Sequence, residues 1–166
     1  GEPELRDNYI DRFNSGCNSP GLAPAVTTLQ GDLNGELSFC GVSGFYGGSG
    51  DFRDTDWFAI TLGETGEVTW RLNAEQTIFG YILELECPNP RVYGLAIGGP
   101  CEDGGLIIIG QPGDDIGLWV APPGYTPPLG MAGNEFAYEF TLSGLSPYQA
   151  VDVKSVSWGV AKSLYR

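Results

Sequence analysis

A chain of 166 residues is long enough for one domain with a sizeable core and too short to argue for two. Acids outnumber bases 21 to 8, and a net charge of −13 argues against nucleic acid and anionic membrane as partners while leaving divalent cations open. Histidine is absent, which removes Ser-His-Asp and Cys-His catalysis and every histidine-bearing metal site. With 26 Gly, 12 Pro and no long segment of 3.6-residue period, the chain reads as many short strands joined by turns.

Residues 1–16 form a polar N-terminal arm with apolar points at Leu5, Tyr9, Ile10 and Phe13. Asp7, Asn8, Asp11 and Asn14 supply oxygens of the kind a hard cation such as calcium takes, and they serve equally as turn residues bonding their own backbone. A loop rich in Pro and Gly then leads to an expected strand over Glu36 to Val42 and to the connector Gly-Phe-Tyr-Gly-Gly-Ser-Gly at residues 44–50. That connector lacks the phosphate-binding glycine spacings, and no helix follows it. Its aromatics, Phe45 and Tyr46, suit either a contact patch or lids folded back on the core.

The most informative stretch comes next. Asp51, Asp54 and Asp56 crowd into six positions and run straight into Trp57, Phe58, Ile60 and Leu62. After a turn at Gly63 to Gly66, Val68, Trp70 and Leu72 alternate with Thr69, Arg71 and Asn73, the pattern of a strand with one dry face. The expected unit is an acidic loop feeding an antiparallel hairpin whose inner face carries indoles.

Asp-Thr-Asp-Trp-Phe at residues 54–58, with the Gly-containing turn and second strand after it, resembles the signature of bacterial pre-peptidase C-terminal domains. With an Asp7-Asn8 start, a Gly-then-aromatic strand over Gly113 to Val120 and a closing strand at Glu135 to Leu142, the likeness spans Asp7 to Gly144. It implies a secreted β-sandwich module of the kind appended to extracellular enzymes. Some members bind calcium through loop carboxylates, which makes Asp54 and Asp56, with neighbouring Asp51, candidate metal ligands. This chain departs from the family in having no attached peptidase and in the extra residues and cysteines of its loops.

Thr77 to Glu86, Val92 to Ile97 and Leu106 to Gly110 are strongly apolar and of strand length. Their near-continuous hydrophobicity suggests strands buried on both faces, inside a sandwich or under a neighbouring subunit. Ile116 to Val120 is a further strand, and the proline-rich Ala121 to Gly130 is an irregular excursion. Over Glu135 to Leu142, Phe136, Tyr138, Phe140 and Leu142 alternate with polar or small residues, the clearest half-buried strand.

The ending, residues 145–166, holds both lysines, and Ser157 suits the cap of a short helix presenting Trp158, Ala161, Leu164 and Tyr165. It can dock on its own domain or act as an arm for a neighbour. In the second case Lys154, Lys162 and Arg166 complement Glu2, Glu4 and Asp7 head to tail, a contact that builds filaments when the rotation does not close.

Cys17, Cys40, Cys87 and Cys101 show no C-x-x-C spacing, so disulfides in an oxidising compartment are expected. Three connectivities are possible. Cys17–Cys40 with Cys87–Cys101 is favoured because each closes a local loop, stabilising by about 3 kcal/mol in the chain-entropy model. No apolar run reaches membrane-spanning length, and an exported chain would place Gly1 after a removed leader.

The expected fold is an all-β antiparallel sandwich, jelly-roll-like, over residues 17–144, between an N-terminal arm at 1–16 and a C-terminal extension at 145–166. Three functions fit it. The first is a secreted, non-catalytic structural protein that associates with itself as a fibre or surface-layer subunit, with Glu2, Glu4, Asp7, Lys154, Trp158, Lys162, Leu164, Tyr165 and Arg166 as subunit contacts. The second is a calcium-assisted module binding an extracellular polymer, collagen or polysaccharide, with Tyr46, Trp119 and Tyr125 as stacking residues. The third is a hydrolase using two carboxylates among Asp51, Asp54, Asp56, Glu102, Asp103, Asp114 and Asp115. Those acids sit beside glycines in loops, which suits turns or calcium better than paired catalysis, and self-association is placed first.

Overall fold

A computed structural model describes residues 5–10, 12–19, 24–47, 51–131 and 134–147. The described chain is all-β. Its strands are β1 (Thr27–Thr28), β2 (Glu36–Gly47), β3 (Asp51–Arg53), β4 (Asp56–Thr61), β5 (Glu67–Ala74), β6 (Ile78–Leu83), β7 (Val92–Gly98), β8 (Gly104–Ile109), β9 (Asp115–Ala121) and β10 (Glu135–Ser143). They form two five-stranded sheets, β1-β4-β9-β6-β7 and β3-β2-β10-β5-β8. Pairing is antiparallel except between β1 and β4. The expected all-β sandwich is the fold observed.

Alternation explains which residues meet in the middle. On β5, Val68, Trp70, Leu72 and Ala74 are buried; on β10, Phe136, Tyr138, Phe140 and Leu142 are. Phe39 stacks on Phe140 at 5.0 Å, and Phe58 reaches across from the other sheet to meet Phe39 edge-on at the same 5.0 Å. Trp70 stands edge-on to Phe140 at 6.2 Å. Trp70 and Phe58 are fully buried, so truncating either to alanine costs about 3–5 kcal/mol.

Three expectations need correction. First, β4 and β5 are not a hairpin. They lie in different sheets, and the Gly63–Gly66 turn carries the chain from one layer to the other, its Gly63 N–H donating to Gly144 O at 2.9 Å. Phe58 and Ile60 take the inner positions of β4, so the two-residue period turns Trp57 outward, and of these two indoles only Trp70 sits in the central core.

Second, the disulfide joins Cys17 to Cys87, with Cα atoms 5.4 Å apart; Cys40 and Cys101 are free and exposed. The local-loop argument failed because Cys40 points outward from one sheet, whereas Cys17 packs against Trp57 and Trp119 on the outer face of the other. Third, of the apolar middle segments only β6 is internal to a sheet. β7 and β8 are edge strands with exposed side chains, so nothing within the described residues buries them on both faces.

At the C-terminal side, Leu145 belongs to the core and bridges Leu62, and Pro147 bridges Gly31. The proposed contact residues Glu2, Glu4, Lys154, Trp158, Lys162, Leu164, Tyr165 and Arg166, and the helix expected around Ser157, lie outside the described residues.

Candidate functional sites: an aromatic cleft and an apolar edge

The acidic stretch divides its three aspartates. Asp51 begins β3 and is exposed, whereas Asp54 and Asp56 are buried. Asp56 accepts from the Tyr138 hydroxyl at 2.7 Å and from the Asn14 amide, tying the core strand β10 to the N-terminal segment. Asn14 returns the link through its backbone carbonyl, which accepts from Trp57 N–H at 2.8 Å. Ser43 donates to the carbonyl of Asp54 at 3.4 Å, and Asp54 N–H donates to Gly44 O at 2.9 Å. Asp7 is exposed and accepts from Gly47 N–H at 3.0 Å through its carboxylate. Among the described residues no three His, Cys, Asp or Glu side chains are placed to hold a metal ion.

Above this anchor lies a cleft of about 420 Å³, inside the usual range of small-ligand sites, about 300–1,000 Å³. The β2–β3 register sets Phe52 opposite Tyr46, and their rings stack at 5.4 Å and 14°. Tyr9 from the arm meets Tyr46 edge-on at 5.6 Å. Arg53 reaches over both Trp119 and Tyr125, its guanidinium carbon 4.9 and 4.8 Å from the ring centroids, and donates to Pro122 O at 2.7 Å. Ser15, Asn18, Asp54 and Thr55 contribute polar lining. The expected stacking residues Tyr46, Trp119 and Tyr125 are thus gathered in one place. Of the two connector aromatics, Phe45 enters the core and Tyr46 joins the cleft. Phe52, Arg53 and Tyr9 were missed as cleft residues. The signal for Phe52 and Arg53 was available in their position beside the acidic motif.

The second feature runs from beside the cleft to the opposite edge of the sandwich. Across the outer face of the first sheet, register aligns Trp57, Trp119, Tyr81 and Leu95 in one row. Residues around Gly16 roof its first half: the backbone of Gly16 lies so close to the Trp57 ring that a Cβ would sit 2.1 Å from it, and its φ of +53° also favours glycine. Beyond it Tyr81 is half-buried against Trp119, and the row becomes exposed at Leu95. Val92, Tyr93, Leu95 and Ile97 of β7 are exposed, as are Ile107 (59%) and Ile109 (79%) of β8. Neither strand contains a charged residue. The two edges converge where Gly104 backs onto Ile97, its Cβ position 2.4 Å from the Ile97 carbonyl oxygen. Just outside the row, Tyr93 donates its hydroxyl proton to Glu84, which raises the Tyr93 pKa above the ordinary phenol value.

No family model matches the chain, and no curated protein does. Among solved structures, it is similar to Aeromonas hydrophila PliG, a periplasmic lysozyme inhibitor of g-type lysozyme. The identity is 14% and the TM-score 0.39, over 71% of this chain and 96% of that one. A likeness of that size carries no functional inference.

Proposed function

We propose that this protein is a non-catalytic, secreted structural protein that works by binding copies of itself, and that β7 and β8 form the contact. The observation that carries this reading is the pair of long, uncharged edge strands with bare aliphatic side chains. Exposed edges of this kind are templates for strand pairing with another chain. A second copy is the occupant that fits best, because a chain of net charge −13 meets itself with least repulsion through uncharged strands, and these are uncharged. The Cys17–Cys87 bridge suits an oxidising, extracellular setting, as does the resemblance of Asp54 to Phe58 to secreted pre-peptidase C-terminal domains.

Sedimentation velocity over a range of concentrations tests it. The wild-type chain is expected to form concentration-dependent assemblies. Replacing Ile107 and Ile109 together by lysine is expected to leave a folded monomer. A wild-type protein that stays monomeric at every concentration refutes the reading.

A further inference from the structure

We propose that the cleft between β2, β3 and the loop after β9 is a binding site for a neutral saccharide chain. A sugar ring offers an apolar C–H face and a rim of hydroxyls, and this cleft presents the complement of both. The stacked pair Tyr46 and Phe52 makes one aromatic wall, and Tyr125 stands across from it, 57% exposed, beside the Arg53 guanidinium. Aromatic faces of this kind provide contact area with little loss of side-chain freedom, while a few placed polar groups fix orientation.

The polar lining decides the class of ligand. Arg53 brings a cation and Asp54 a buried carboxylate into the same cleft, with Ser15, Asn18 and Thr55 beside them. Hydroxyls accept from a guanidinium and exchange hydrogen bonds with serine, threonine and asparagine side chains, so a polyhydroxyl ligand can use this lining throughout. An acidic polymer would meet Asp54 and the field of a chain carrying −13. A proline-rich peptide, the other usual occupant of an aromatic groove, brings few donors for the Ser15, Asn18 and Thr55 oxygens. Strand addition at this place is limited because β3 is only three residues long.

Native affinity electrophoresis tests the site with soluble polymers in the gel: hydroxyethyl cellulose, xylan, galactomannan and glycogen as neutral probes, polygalacturonate and alginate as acidic ones. A fluorescent proline-rich peptide is titrated in parallel. Wild-type protein is expected to be retarded by at least one neutral polymer. Tyr125→Ala and Phe52→Ala are each expected to weaken that retardation about fivefold or more, and Tyr125→Phe to retain it. Both rings are partly exposed, so near-UV circular dichroism should show the fold intact, and either variant alone can report on the cleft. The Ile107→Lys, Ile109→Lys protein is expected to bind as the wild type does, which separates this site from self-association. Retardation by no neutral polymer, retention unchanged in both ring variants, or binding of only the acidic polymers or the peptide overturns the proposal.

Discussion

On one side of the sandwich the outermost strands are β1, two residues long, and β3, three residues long. The indoles beside them, Trp57 and Trp119, are roofed by the segment that the Cys17–Cys87 bridge holds down. On the other side the outermost strands are β7 and β8, seven and six residues long, uncharged and bare. Short or covered edges are how sheet proteins avoid pairing with their neighbours. Among the described residues one side has that protection and the other lacks it, so apolar sequence is buried internally at the first edge and exposed at the second.

The largest way to break the contrast is to remove the roof. The disulfide closes a loop with a sequence separation of 70 residues, worth about 4 kcal/mol in the chain-entropy model. Cys17→Ser with Cys87→Ser is therefore expected to lower the denaturation midpoint strongly and to shift tryptophan emission toward that of wetter indoles. Cys40→Ser and Cys101→Ser, at exposed free thiols, are expected to change stability by less than about 0.5 kcal/mol. Equal losses from both pairs of substitutions would mean that the roof is not what protects this side.

The bare side should respond in the opposite way. Lysines at Ile107 and Ile109 are expected to weaken self-association about 100-fold, or about 2.7 kcal/mol, with little cost to the fold of the single chain. The control belongs on the protected edge: Thr28→Lys, exposed on β1, is expected to leave assembly unchanged. If Thr28→Lys disperses the assemblies as well, the two sides are not functionally distinct.

A smaller effect tests the anchor beneath the roofed side. Tyr138→Phe keeps the ring that stacks on Phe140 but removes the donor to Asp56, leaving one buried carboxylate oxygen without that bond. The expected cost is about 1–3 kcal/mol, read as a lower urea midpoint at an unchanged slope. An unchanged midpoint would assign the stability of this corner to packing alone.

How much of this was legible follows from what each signal measures. Period two identified β5 and β10 and their buried residues, because alternation reports a strand with one dry face wherever it sits. It cannot report which sheet a strand joins, so β4 and β5 read as a hairpin although the Gly63–Gly66 turn passes between layers. Composition likewise identified β6, β7 and β8 as apolar strands, but a strand inside a sheet and an exposed edge strand of the same composition look alike in sequence. Cysteine spacing carried no information about face, and it is face that separates Cys17 from Cys40. For the cleft, Tyr46, Trp119 and Tyr125 stood out as loop or strand aromatics, while Phe52 needed the β2–β3 register to find its partner.

The smallest predicted effect probes the bare edge without altering its aliphatic row. Tyr93 on β7 donates to Glu84, and this hydrogen bond, aided by desolvation and by the repulsion a phenolate would feel from the same carboxylate, raises its pKa above the usual value near 10. A group whose pKa is raised in the folded chain contributes stability that is fully present below the unfolded pKa and is lost as pH rises through the folded one. The contribution of Tyr93 is therefore intact at neutral pH and disappears only in the alkaline range. Ultraviolet titration of the tyrosines should show a late component that moves earlier in Glu84→Gln, which removes the carboxylate charge at nearly the same shape. Since Tyr93 lies on the proposed contact, assembly should shelter it further and delay that component at high protein concentration; a component that is late yet independent of concentration would place Tyr93 outside the interface and narrow the contact to β8 and the far end of β7.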